Sequence, residues 1–216
     1  MEQGALANGL FLIAYDEAGG RSGLAPDLLA CGLVGVQLAD LVTAGTLTVD
    51  PGHRVVTTRP NPARSAGPAA TLVLDSVAHE PRAHPVRSWI DALGGPLLEA
   101  VQNDLLQREV LARTSERSML GRRRTRLAVA DSSAVRAPGL ALRGMIRHPG
   151  TFTLQGAVTL VVIAALGVER LLEPEVDRAT ARSLAHDAAE HLPEPIARLR
   201  AGLAETAAAV SVAVRR

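Results

Sequence analysis

Pro26-Asp27-Leu28-Leu29-Ala30-Cys31-Gly32-Leu33-Val34-Gly35-Val36-Gln37-Leu38-Ala39-Asp40-Leu41-Val42-Thr43-Ala44-Gly45 opens on a proline suited to the first turn of a helix and closes on a glycine suited to stop one. Between them Leu29, Leu33, Val36 and Val42 follow helical spacing, which predicts a helix from Asp27 to just before Gly45. Thr46-Leu47-Thr48-Val49 and Arg54-Val55-Val56-Thr57 then flank Asp50-Pro51-Gly52-His53, an alternating pair around turn residues. The unit is helix, then β-hairpin. Gly32-Leu33-Val34-Gly35 lacks the strand-turn-helix surroundings of a dinucleotide site and reads as close helix packing.

Upstream, Leu10-Phe11-Leu12-Ile13-Ala14-Tyr15 is an apolar run ended by Asp16-Glu17-Ala18-Gly19-Gly20, a buried strand or short helix before a turn. Downstream, residues 59–68 are a proline-rich surface connection. A second amphipathic helix is expected at 97–107, followed by short runs at 110–112 and 118–120 with the polar Thr114-Ser115-Glu116-Arg117 as their turn. Helix followed by hairpin therefore recurs, and that is how a winged-helix unit ends. The last third reads helical, over 140–147, 154–172, 177–191 and 195–214, with breaks at Pro174, Pro193 and Pro195. The segment 154–172 is expected at the buried centre, because its apolar part, 157–168, falls short of the roughly 20 residues that a membrane span needs.

Composition excludes several classes of chemistry. One Trp, one Tyr and two Phe in 216 residues cannot build the stacking platforms of single-strand nucleic-acid binders. All 23 basic residues are Arg, which removes Schiff-base lysines, the P-loop lysine and a lysine general base. The single Cys31, in an apolar stretch, reads as a buried small hydrophobe. His79 and His84 are separated by Pro81, and no HExxH is present, so the histidines read as loop residues. Asp131-Ser132-Ser133 resembles a helix cap more than a nucleophile, and Glu169, Glu173, Glu175 and Asp177, interleaved with Arg170 and Arg178, read as a solvated helix junction. The expectation is a non-enzyme without metal or cofactor. With no basic stretch ahead of the first apolar run, no signal peptide is visible, and the default compartment is the cytoplasm.

Charge is laid down unevenly. Residues 1–50 hold one Arg against six acids, whereas residues 108–147 hold ten Arg against three, in a chain of net charge +1. Gly121-Arg122-Arg123-Arg124-Thr125-Arg126, preceded by Arg113 and Arg117, concentrates the excess. Guanidinium forks suit phosphate oxygens, so this block points to a local anionic partner.

Five blocks, in order, resemble the Golgi phosphoprotein 3 family in the form its bacterial relatives take. They are Leu10-Phe-Leu-Ile-Ala-Tyr-Asp-Glu-Ala-Gly-Gly20, Leu29-Ala-Cys-Gly-Leu-Val-Gly-Val-Gln-Leu-Ala-Asp-Leu-Val-Thr-Ala-Gly-Thr-Leu47, Val86-Arg-Ser-Trp-Ile90, Arg124-Thr-Arg126 leading to Ala130-Asp131, and the stretch 160–172. The resemblance implies a mainly α-helical single domain over 1–216 with short β-hairpins, one of them projecting, that acts as a peripheral membrane protein without catalytic residues. Eukaryotic members bind phosphatidylinositol 4-phosphate and hold cytoplasmic tails of Golgi enzymes. The family's headgroup Trp corresponds here to about Ala25, and its headgroup arginines to about Val34, Gly95 and Leu98. The family hairpin maps to about 110–123.

The expected function is contact with an anionic phospholipid surface, made by Arg113, Arg117, Arg122, Arg123, Arg124 and Arg126, with Met119 and Leu120 inserting. A client protein or a second copy is expected to use the same hairpin. The alternative is a winged-helix-like DNA-binding regulator with a basic wing. The near-neutral total and the lack of any Arg in residues 27–44 disfavour nucleic acid as partner.

Overall fold

Pro26 and Gly45 bound the central helix as their chemistry requires: in the computed structural model α2 spans Pro26–Thr43, with Pro26 in its first turn. The structure describes residues 5–58, 67–117 and 123–213, with side-chain surroundings outside 116–125 and 211–213. α2 packs against α1 (Ala5–Ile13), α4 (Val86–Gln107), α6 (Leu154–Ala165) and α8 (Glu194–Ala213). A Cβ at Gly32 would sit 2.9 Å from Leu10 and 3.0 Å from Leu166, and one at Gly35 would sit 2.8 Å from Leu203. The GxxG is therefore a packing device that lets three segments close on one helix. α2 is long and apolar enough to cross a bilayer, but most of it is buried among these helices. Among the described residues the fold is mainly α, with a few short antiparallel strand pairs.

The apolar run at 10–15 resolves into the end of α1 and the first strand of a small hairpin, β1 (Tyr15–Asp16) and β2 (Arg21–Ser22). β3 (Leu47–Val49) and β4 (Arg54–Thr57) pair as the sequence suggests, and β5 (His84–Pro85) adds a third strand on β4. α3 (Pro68–His79) lies between them. The helix expected at 97–107 is twice that length, because α4 begins at Val86 and runs through Pro96.

The basic hairpin also differs from the sequence expectation. β6 (Leu111–Arg117) and β7 (Arg123–Val129) pair from Leu111↔Val129 to Arg117↔Arg123. Residues 114–117, expected as the turn, are strand, and Arg123, Arg124 and Arg126 belong to the second strand rather than to a loop after the hairpin. Only the base of the hairpin packs on the core, through Leu111, Leu127 and Val129, which leaves too short an apolar alternation for a sequence reading to find the strands.

α5 (Ser132–Arg147) starts where the cap was expected, with Asp131 Oδ1 accepting from the amides of Ser133 at 2.9 Å and Ala134 at 3.1 Å. The single helix expected over 154–172 is two pieces. α6 ends at Ala165, and after the turn at Gly167 a 3-10 turn covers Glu169–Leu172. Its centre is buried as expected, Leu160, Ile163 and Leu172 being fully enclosed, whereas Leu154 at its start is open to water. Glu169, expected in a solvated junction, is 2% exposed and takes the Arg182 Nε of α7 (Arg178–Glu190) at 2.9 Å. A carboxylate that deep needs its ion pair. Cys31 is fully buried, and burial, with the nearby Asp91 carboxylate, pushes its thiol up to about 12.

Two of the helix caps make stability depend on acid. The Ser133 hydroxyl at Asp131 and the Thr180 hydroxyl at Asp177, followed by cap amides, hold both carboxyls below the usual aspartate value of 3.8. A depressed folded pKa stabilises the fold above the unfolded value, and the contribution is lost as the pH falls through the folded one. Melting temperatures recorded from about pH 6 down to about pH 2 should therefore decline on the acid side of 3.8. Replacing both residues by Asn, which caps equally well without titrating, should leave the neutral melt nearly unchanged and make the acid decline shallower. An unchanged acid slope in that double variant would remove the caps from the account.

Candidate functional site: the cleft at the hairpin base

The base of the β6–β7 hairpin is tied down from both sides. The amides of Ala130 and Asp131 bond the Val110 carbonyl at 3.1 and 3.2 Å, and Tyr15 donates its hydroxyl to the Leu127 carbonyl at 2.8 Å. Burial, then the neighbouring Asp16 and Glu17 carboxylates, raise the Tyr15 phenol, so it stays a donor. Gly20, at the β1–β2 turn, has φ +62°, and a Cβ there would stand 2.8 Å from the Leu127 carbonyl oxygen. Only glycine lets the turn lie flat against β7.

This arrangement leaves a cleft of about 970 Å³ between the β1–β2 hairpin, the start of α2, α4 and the hairpin base. Arg21, Arg113 and Arg126 line it against the one carboxylate of Asp16. Arg113 donates to the Asn103 Oδ1 at 3.1 Å, an interaction that spends no negative charge. Ala25 and Pro26 also line the cleft, and the N-terminus of α2 has no side-chain cap. The first turn of α2 thus borders the same space as three guanidinium groups, although Pro26 offers no amide there and Asp27 brings a carboxylate to that turn. Chemically the cleft is built to hold a phosphate-bearing or other multiply charged anion.

The expected site residues divide as follows. Arg113 and Arg126 both line the cleft. The register sets Arg117 across from Arg123 and Glu116 across from Arg124 in the hairpin backbone, and the side chains of Arg117, Arg123 and Arg124 lie outside the described set. Met119, Leu120 and Arg122 lie outside the described residues altogether. Arg21 was not anticipated, although a signal existed: it is the one basic residue in the first fifty. Of the four positions aligned with the family's headgroup residues, Ala25 and Leu98 line the cleft, Val34 is buried inside α2, and Gly95 is exposed on α4 outside it.

No individual curated protein matches the chain. Residues 6–214, nearly its whole length, match the sequence model of Golgi phosphoprotein 3 (GPP34), and the chain belongs to that family, which is known for phosphoinositide binding and is generally non-enzymatic.

Proposed function

We propose that the protein is a non-enzymatic peripheral membrane protein of the cytoplasm that holds anionic phospholipid at the cleft and along the basic hairpin. The observation that carries this reading is that Arg21, Arg113 and Arg126, from three strands, line one cleft whose lining holds a single carboxylate, Asp16. Ala25 and Leu98 put this cleft where the family resemblance locates its headgroup pocket, with arginines supplied from other elements. Arg117 across from Arg123 adds two like charges on one rung, for which an anion is the natural counterpart. The hairpin is also the surface we assign to a client protein or a second copy.

Three flexible arginines from separate elements recognise charge density rather than one headgroup. Binding to phosphatidylinositol 4-phosphate should therefore be no tighter than to other anionic lipids at equal vesicle charge, measured by co-sedimentation. Changing Arg113 and Arg126 to Ala should weaken binding to all of them alike. A clear preference for phosphatidylinositol 4-phosphate in the charge-matched comparison would overturn the charge-only account. The DNA-binding alternative is disfavoured by the burial of α2, which would have to serve as the recognition helix.

A further inference from the structure

Residues 132–168 contain no aspartate or glutamate but carry Arg136, Arg143, Arg147 and His148. On α5 the residues Arg136, Leu140, Arg143 and Arg147 are spaced i, i+4, i+7, i+11, one stripe of the helix, while Val135, Gly139, Leu142 and Ile146 form the neighbouring stripe that packs on the core. Arg136 is held by Glu17, and Arg143 by Glu175 and the carbonyls of Leu171 and Leu172. Arg147 has no ion-pair partner among the described residues.

On the same stripe of α5 lies Leu140, 62% exposed, and at the start of α6 lies Leu154, 52% exposed, the large apolar side chains left open to water among the described residues. Their chain neighbours form an almost wholly apolar groove of about 280 Å³, to which α1 gives Leu6 and Ile13, α5 gives Leu142 and Met145, and α6 gives Gly156. A lone exposed leucine needs no explanation, but two beside an apolar groove, in a segment with cations and no acids, form a patterned surface.

We propose that this α5–α6 face is a second bilayer-contact surface, separate from the cleft: Leu140 and Leu154 enter the boundary between headgroups and acyl chains of an anionic bilayer, and Arg147 meets its phosphates. The proposal rests on the peripheral-membrane reading and adds to it an exposed apolar contact outside the cleft. Charge favours that occupant: with Arg136 met by Glu17 and Arg143 by Glu175, Arg147 leaves the face with a net positive charge, which anionic lipid complements. The β1–β2 turn borders both surfaces, Gly20 backing β7 and Glu17 bonding Arg136, so one bilayer contact can extend across both.

The test places reporter indoles on this face. Leu140→Trp and Leu154→Trp variants, with Glu190→Trp on α7 as control, are mixed with anionic vesicles whose acyl chains carry bromine. Emission of the first two should shift to the blue and be quenched, while the control and the native Trp89, only 4% exposed, should not respond. The Leu140→Ser, Leu154→Ser double variant should bind about tenfold more weakly, and that deficit should persist at raised salt, where arginine contacts fade. Vesicle binding by the Trp variants without quenching would overturn this face as a contact and leave the peripheral-membrane reading standing. Failure of the unaltered chain to bind any vesicle would end both. Blue-shifted emission before vesicles are added, with a doubled solution mass, would reassign the face to self-association and overturn the proposal.

Discussion

Changing Arg122, Arg123, Arg124 and Arg126 together to Ala is expected to weaken binding to anionic vesicles roughly ten- to a hundredfold, with an unchanged circular dichroism spectrum. Each arginine near an anionic surface is worth about 1 kcal/mol, so four working equally would supply about 4 kcal/mol, near a thousandfold. The expected loss stays below that ceiling because the four need not all face the surface at once. The loss should shrink as salt rises, the mark of a screened interaction. The fold should survive, since the core contacts of the hairpin are made by Leu111, Leu127 and Val129, which the variant keeps. Undiminished vesicle binding by a folded quadruple variant would end the hairpin's role, and loss of duplex DNA binding instead would favour the winged-helix alternative.

A second large effect is expected from Leu10→Ala. Leu10 is fully buried on α1 and lies against the bare backbone of Gly32, which has no side chain to fill the space it vacates. Such a truncation costs about 2–5 kcal/mol. In a chain of this size about 3 kcal/mol corresponds to a fall of about 6–12 °C in melting temperature. The effect reaches function through α1, which leads directly into the β1–β2 hairpin that carries Arg21 and Gly20 to the cleft. Calorimetry reads the result; a fall of less than about 2 °C would mean that α1 is not packed on Gly32 as described.

The sequence made some elements readable and hid others for identifiable reasons. α2 was legible because Pro26 and Gly45 punctuate it, and the α5 cap because Asp131 precedes two serines. The first half of α4 was hidden by Gly94-Gly95-Pro96, which reads as a break. A single missing amide inside a helix otherwise anchored by Trp89, Ile90, Leu97 and Val101 does not end it. Pro138 hid the first half of α5 in the same way. Glu169 looked like one of a solvated acidic set because its partner, Arg182, is thirteen residues away and only the fold brings them together. The cleft was half legible: the basic run pointed to Arg113 and Arg126, but charge counting along the chain could not show that a strand pair near the N-terminus delivers Arg21 to the same place.

The burial of Cys31 has a practical consequence. A thiol with no exposed surface, its pKa pushed up to about 12 by burial, has almost no thiolate at neutral pH, so alkylating reagents and oxidants find neither access nor a nucleophile in the native state. It is also the chain's single sulfhydryl. Modification must await transient separation of the helices around α2, and its rate becomes a clock for those openings. One mass-spectrometric time course on the unmodified protein thus reads how often the centre of the molecule breathes, with and without vesicles, from a reporter the fold already carries.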